Sequence, residues 1–306
     1  MKPRTRPTWS IGTVGFFYPE WAGTLYAGVG RGAGHRLTTY AQHFNAAEIN
    51  STFYGVPTSK TVQGWAEATP PEFRFCVKMP RDVTHGPTPP GALASADGPP
   101  TGHLVQSATI DMARRLIETV KPLGEKLGAV LVQFPPKFGP ERLEELGGFL
   151  DRLGRDVPIA VELRNAGWWT GETEKMLKDR GVSWVAADES PQKFAAREPD
   201  PDGQDERSPR AIVATSDFLY VRWLGKHGQF RDRSREHFDP TERLRWWTKR
   251  LEKTLEEHPK IRTVFGYFDN DFAGDAPVTA RRLMEMVGLE TPKSERPSGG
   301  ERTLFD

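Results

Sequence analysis

Three carboxylates, three cations and a histidine stand just behind short apolar runs in this chain. They are Glu48, Glu162 and Asp188, then Lys78, Arg164 and Arg222, and His85. The amides Asn50, Gln133 and Asn270 occupy similar positions, and Trp168 and Tyr267 are among the aromatic residues nearby. Carboxylates and an imidazole are the groups of general acid/base catalysis. Two arginines and a lysine converging on one pocket suit a carboxylate or phosphate. Aromatic rings beside polar groups suit stacking on a sugar or a base. The expected catalytic set is therefore Glu48, Glu162, His85 and Asp188. The expected substrate contacts are Asn50, Lys78, Gln133, Arg164, Arg222, Tyr267, Asn270 and Trp168.

Something must bring these distant residues together. The apolar runs are Trp9–Gly15, Ala46–Asn50, Phe73–Lys78, Ala129–Phe134, Ile159–Arg164, Val182–Asp188, Phe218–Arg222 and Val264–Asn270. Most are separated by segments of helical periodicity. Eight strands alternating with helices predict a (β/α)8 TIM barrel, whose active site lies at the C-terminal ends of the strands. Residues i and i+2 of a strand share a face. Glu48 with Asn50, Glu162 with Arg164, and Tyr220 with Arg222 therefore pair on faces aimed at the barrel mouth. Ile49, Leu163 and Val221 take the helix-covered side.

Helix boundaries are readable too. Asp239-Pro240-Thr241-Glu242 offers a cap, a proline in the first turn and an early acid. Leu244, Trp247, Leu251 and Leu255 follow as one stripe. Pro140 opens another helix, and Gly154 stops it. A last helix runs from about Ala276 to near Gly288. Two long loops, Arg81 to His103 and Glu189 to Ser216, follow strands three and six. Such loops lie on the catalytic face and often act as lids. The domain reading is a flexible start over 1–8, a barrel over 9–290 and a flexible tail over 291–306.

Composition narrows the class. With 42 Lys+Arg against 41 Asp+Glu, no global field favours nucleic acid or a membrane surface. The lone Cys76 lies inside the third run and reads as a buried, inert thiol. No apolar run is long enough for a membrane span, so a cytoplasmic location is expected and a membrane partner is not. No motif demands a cofactor. Glu48, Glu162, Asp188 and His85 together would suit a divalent metal, though no tight ligand spacing such as H-x-x-x-H supports one. There is no G-x-S-x-G and no phosphate-binding glycine loop of the usual kinds.

Several motifs resemble one known family. They are Gly12-Thr13-x-Gly15, Trp21-x-Gly23, Glu48-Ile49-Asn50-Ser51-Thr52-Phe53-Tyr54, Lys78-x-x-Arg81-x-x-Thr84-His85, Gln133-Phe134-Pro135-Pro136 and Val161-Glu162-Leu163-Arg164. Tyr220-Val221-Arg222, and Phe268-Asp269-Asn270 with Gly274, Ala276 and Ala280, belong to the same pattern. In this order, from about Ile11 to Leu289, the chain resembles the YecE-like family, domain of unknown function 72. The resemblance implies a TIM barrel and carries no reaction with it. This chain has Leu224 where the family often has histidine before the glycine after strand seven. It has Asp269 where the family often has asparagine. The weight of the acid/base expectation therefore falls on Glu48 and Glu162, with Arg164 and Arg222 beside them.

The functional expectation is a hydrolase or lyase for an anionic, phosphate-bearing substrate, a sugar phosphate or a nucleic acid. The alternatives are a self-neutralising ion network that merely fills the barrel top, a non-catalytic barrel that binds a small anion, and an adaptor. The adaptor reading rests on Arg302-Thr303-Leu304-Phe305-Asp306, which faintly resembles peptides that dock on the bacterial sliding clamp.

Overall fold

The computed structural model describes residues 7–29, 32–87, 99–189 and 211–290. Nine parallel strand segments form the sheet: β1 Thr8–Val14, β2 Ala46–Ile49, β3 Arg74–Lys78, β4 Leu127–Gln133, β5 Ile159–Glu162, β6 Ser183–Trp184, β7 Ala186–Asp188, β8 Phe218–Trp223 and β9 Thr263–Phe268. The pairing order is β6-β5-β4-β3-β2-β1-β9-β8-β7. Only Val185 separates β6 from β7, so these two segments are the halves of the sixth predicted strand. The first half pairs with β5 and the second with β8. Counted this way, the sheet is the expected eight-stave α/β barrel.

The break has a physical repair. Over β6 the backbone does not pair with β8, and side chains bridge the gap. Ser183 Oγ donates to Phe218 O at 3.1 Å. The buried Thr215 hydroxyl donates to Val182 O at 2.6 Å and accepts from Trp184 N–H at 2.9 Å. Buried backbone groups need such partners, and here one threonine satisfies two of them.

The described helices are α1 Ala33–Ala41, α2 Ser59–Glu67, α3 Arg81–Thr84, α4 Ser107–Val120, α5 Leu143–Leu153, α6 Gly171–Arg180, α7 Thr241–Glu257, α8 Asn270–Ala273 and α9 Ala276–Met286. The stripe read from the sequence is the buried face of α7: Leu244, Trp247, Leu251 and Leu255. Each such side chain contributes roughly 1.5–3 kcal/mol on burial. Asp239 accepts from Thr241 N–H at 2.9 Å, but the cap position of α7 is taken by Pro240, one residue later than expected, so Asp239 lies outside the helix rather than at its cap. Pro140 opens a 3-10 turn that leads into α5, and Gly154 ends that helix with φ 79.

Two packed regions result. The larger lies between sheet and helices and holds Ile49, Val77, Val161, Trp184, Ala186 and Val221. The smaller fills the barrel. There Ala46, Ala129, Ala160 and Ala187 leave room for the large rings of Phe218, Tyr220, Phe265 and Tyr267. Gly128 belongs to this fit, because a Cβ there would come within 2.7 Å of the Phe265 ring. Cys76 also lies inside, and burial pushes its thiol up to about 12, which leaves it unreactive.

Of the two long loops, 88–98 and 190–210 lie outside the described residues, as does the tail 291–306. No described helix is long and apolar enough to cross a membrane.

Candidate active site

At the C-terminal ends of the strands, polar residues replace the apolar filling. Glu48 on β2 lies in the same inward row as Ala46, and Arg222 on β8 in the same row as Phe218 and Tyr220. They meet across the barrel. Arg222 Nε donates to Glu48 Oε2 at 2.9 Å and Nη2 to Oε1 at 2.7 Å, a bidentate pair. Arg222 Nη1 donates to Glu162 Oε2 at 2.5 Å. Tyr220 OH adds a bond to Glu48 Oε2 at 2.8 Å. The side chains of Glu48, Glu162 and Arg222 are 0%, 2% and 3% exposed, so the triad is almost wholly buried. Buried, unpaired charges would be strongly destabilising, and mutual pairing is what permits them here.

The chain of charges climbs from this floor to the surface. Arg164 Nε lies 2.6 Å from Glu162 Oε1 and 3.0 Å from Glu189 Oε1. Burial alone would raise Glu162, but Arg222 and Arg164 outweigh it and hold the carboxyl at about 2. Glu162 is therefore a fixed anion across the ordinary pH range. Glu189 sits further out, and burial raises its carboxyl despite Arg164.

A cavity of about 590 Å³ opens above this floor. Asn50, Lys78, Gln133, Arg164 and Arg222 line it, as strand parity predicts. Lys78 ends β3, is 8% exposed, and holds Nζ 4.1 Å from the centroid of the Phe53 ring. Among the described residues no carboxylate lies within 4.0 Å of that nitrogen. Burial lowers Lys78 to about 8; Arg222 adds to this, while Glu48 and Glu162 oppose it.

Five expected residues are placed elsewhere. Asp188 turns outward to α7, where it pairs with Arg243 and accepts from Trp247 Nε1 at 2.8 Å. Asn270 is buried, and its carbonyl oxygen accepts from Trp21 Nε1 at 3.2 Å and Ala276 N–H at 3.1 Å. Trp168 is fully buried, donates to Phe138 O at 2.6 Å and stacks on the Phe138 ring. Tyr267 lies inside the barrel against Tyr220. These four residues hold the fold together and do not line the cavity. His85 packs edge-on behind Phe53, with Nδ1 2.8 Å from Thr84 Oγ1. Burial, with Lys78, Arg81 and Arg164, lowers His85 to about 4, so it is neutral at pH 7 and cannot serve as the expected acid there.

The mouth contains residues that the sequence reading missed. Glu189, Asp269, Asp271, Lys226, Arg233 and Tyr18 all line the cavity. Two of them were within reach of parity. Val185 and Ala187 point inward, so Glu189 follows them and Asp188 does not. Phe265 and Tyr267 point inward, so Asp269 follows them and Asn270 does not. Burial raises the Asp269 carboxyl. Asp271 accepts from Gly228 N–H at 2.7 Å and Arg233 Nη2 at 3.1 Å, which ties the loop after β8 to the rim. Gly225 makes that approach feasible: its φ is 67, and a Cβ there would come within 1.9 Å of Asp271 O. The metal set expected from Glu48, Glu162, Asp188 and His85 is not assembled. Among the described residues, no three His, Cys, Asp or Glu side chains are grouped so that they could hold a metal ion.

This arrangement can be set beside known proteins. Residues 10–301 match the family described as "Protein of unknown function DUF72". The chain belongs to the DUF72 family. The UPF0759 protein YecE of Escherichia coli (strain K12) is 32% identical over 178 residues, covering 56% of this chain and 58% of YecE. The chain thus spans little more than half the length of YecE. The UPF0759 protein YunF of Bacillus subtilis (strain 168) is 24% identical over 278 residues, covering 83% of this chain and 87% of YunF. The crystal structure of a DUF72 family protein from Thermotoga maritima MSB8 has a TM-score of 0.66 at 22% identity, covering 92% of this chain and 99% of that one. Another, from Enterococcus faecalis V583, has a TM-score of 0.65 at 22% identity, covering 93% and 99%. Leu224 and Asp269 both line the cavity.

Proposed function

We propose that this chain is an acid/base enzyme, a hydrolase or lyase, acting on a small anionic substrate in the barrel mouth. One observation carries the reading: cationic groups line the cavity with donors not engaged by carboxylates. Lys78 has no carboxylate within 4.0 Å among the described residues. Arg164 meets carboxylates through Nε, and its terminal nitrogens have no hydrogen-bond partner among the described residues. Arg222 is a weaker candidate for substrate, because Nε, Nη1 and Nη2 all bond to Glu48 or Glu162. It holds the floor together by pairing with both carboxylates.

Proton transfer falls to Glu189 and Asp269. Both carboxyls are raised by burial and both line the cavity, which brings them nearer to neutral pH than Glu162. The substrate's anionic group would rest on Arg164, a guanidinium suited to bidentate contacts.

Titration calorimetry with inorganic phosphate and with glyoxylate tests this reading. Binding of either anion to the wild-type chain is expected. Arg164→Ala should weaken it at least about tenfold, the scale of one lost charge-assisted bond. The melting temperature should fall, because Arg164 Nε bonds the buried Glu162 carboxylate, so binding is compared well below the variant's melting temperature. Absence of any anion binding by the wild-type chain would refute the proposal.

A further inference from the structure

Lys78 is placed as a reagent rather than as a structural cation. Its stem is buried at the end of β3, its nitrogen lies against the Phe53 face, and the cavity opens beside it. Thr52 Oγ1 lies 2.7 Å from the Lys78 carbonyl oxygen and fixes the backbone beneath it. A buried ammonium without a close counter-ion is only partly compensated by the Phe53 ring, so the free amine is more populated than in an exposed lysine. We propose that Lys78 is a catalytic amine that forms an imine with the aldehyde or ketone carbonyl of an anionic substrate. The proposal rests on the anionic-substrate reading above and names the substrate class: a small carbonyl compound bearing a carboxylate or phosphate.

The Nζ lone pair attacks the carbonyl carbon and a C–N bond forms. The carbonyl oxygen leaves as water. One of its protons comes from the amine and the other from a carboxyl at the mouth, Asp269 or Glu189. The product is a protonated imine. It can accept the electron pair of a breaking bond at the neighbouring carbon, which is the electron sink that a lyase requires. No redox partner is needed. Burial lowers Lys78 to about 8, with Arg222 assisting. At pH 7 about one amine in ten is then unprotonated, against roughly one in three thousand for an ordinary lysine.

The test uses the full chain at pH 7 with glyoxylate and cyanoborohydride, which reduces imines to stable secondary amines. Peptide mapping by mass spectrometry then reads the modification at each lysine. Lys60 and Lys249 are exposed and serve as internal references. Lys78 should be carboxymethylated at least tenfold faster than either. Acetaldehyde, a neutral aldehyde of similar size, should label Lys78 more slowly than glyoxylate does, and Arg164→Ala should remove that preference. Lys78→Arg should abolish the modification at that position, with thermal melting to check that the variant is folded. If Lys78 reacts no faster than the references with either aldehyde, the imine proposal is overturned, while phosphate calorimetry still judges anion binding. If both aldehydes label Lys78 equally fast and ahead of the references, the imine stands and the anionic-substrate reading falls.

Discussion

A lysine buried to 8% exposure without a close carboxylate is a burden on the fold that carries it. The ammonium titrates near 8 in the folded chain, mainly through burial, against 10.5 as the ordinary value. The unfolded chain therefore binds more protons between these values. The deficit is fully present below pH 8 and is relieved as pH rises to 10.5. Lys78→Met keeps the stem and removes the charge. It should raise the free energy of unfolding at pH 7 by about 2–3 kcal/mol. The gain should vanish by about pH 10.5. Urea unfolding of both chains at pH 7 and near pH 10.5 checks this, and a gain that did not depend on pH would point to packing instead of charge. Retaining a destabilising lysine argues for a use, and the carbonyl chemistry proposed above supplies one.

At the scale of the element, the strand decides which residue acts. Much of the mouth is legible from parity: Asn50, Lys78, Gln133, Arg164 and Arg222 line it, with Glu48 and Glu162 as its floor. The misplacements share a cause. Asp188 and Asn270 are the polar ends of apolar runs, but the face of a strand is set by counting from its inward members. Trp168 and Tyr267 offer rings for stacking, but packing uses both. The split of the sixth strand was not legible at all, because it depends on how two neighbouring strands diverge. Thr215 holds that seam. Thr215→Val removes both of its bonds and leaves Val182 O and Trp184 N–H without them. The expected loss is about 2–4 kcal/mol in urea unfolding, with an unchanged m-value, and Thr215→Ser should restore most of it. A valine variant as stable as the wild type would show that the backbone closes the seam without help.

At the scale of the molecule, the ion chain ties together staves that the sequence keeps far apart. Glu48 stands on the second stave, Glu162 on the fifth and Arg222 on the seventh. Their pairing spans the barrel above its apolar filling, so the charges that shape the mouth also close its floor. This coupling has a pH signature. Although burial opposes it, Arg222 and Arg164 lower the Glu162 carboxyl from 4.5 to about 2. A depressed carboxyl contributes stability that is complete above pH 4.5 and is lost as pH falls toward 2. Glu162→Gln should cost about 3 kcal/mol at pH 7, because it removes a buried carboxylate from both guanidiniums, although Arg222 keeps Glu48 and Arg164 keeps Glu189. In acid the wild-type residue becomes neutral as well, so the two chains should converge, the gap narrowing by about 1.5 kcal/mol between pH 4.5 and 3. Denaturant unfolding at pH 7, 4.5 and 3 measures that gap. A gap of constant size would mean that Glu162 acts through its shape, and the cross-barrel charge network would then contribute nothing of its own to stability.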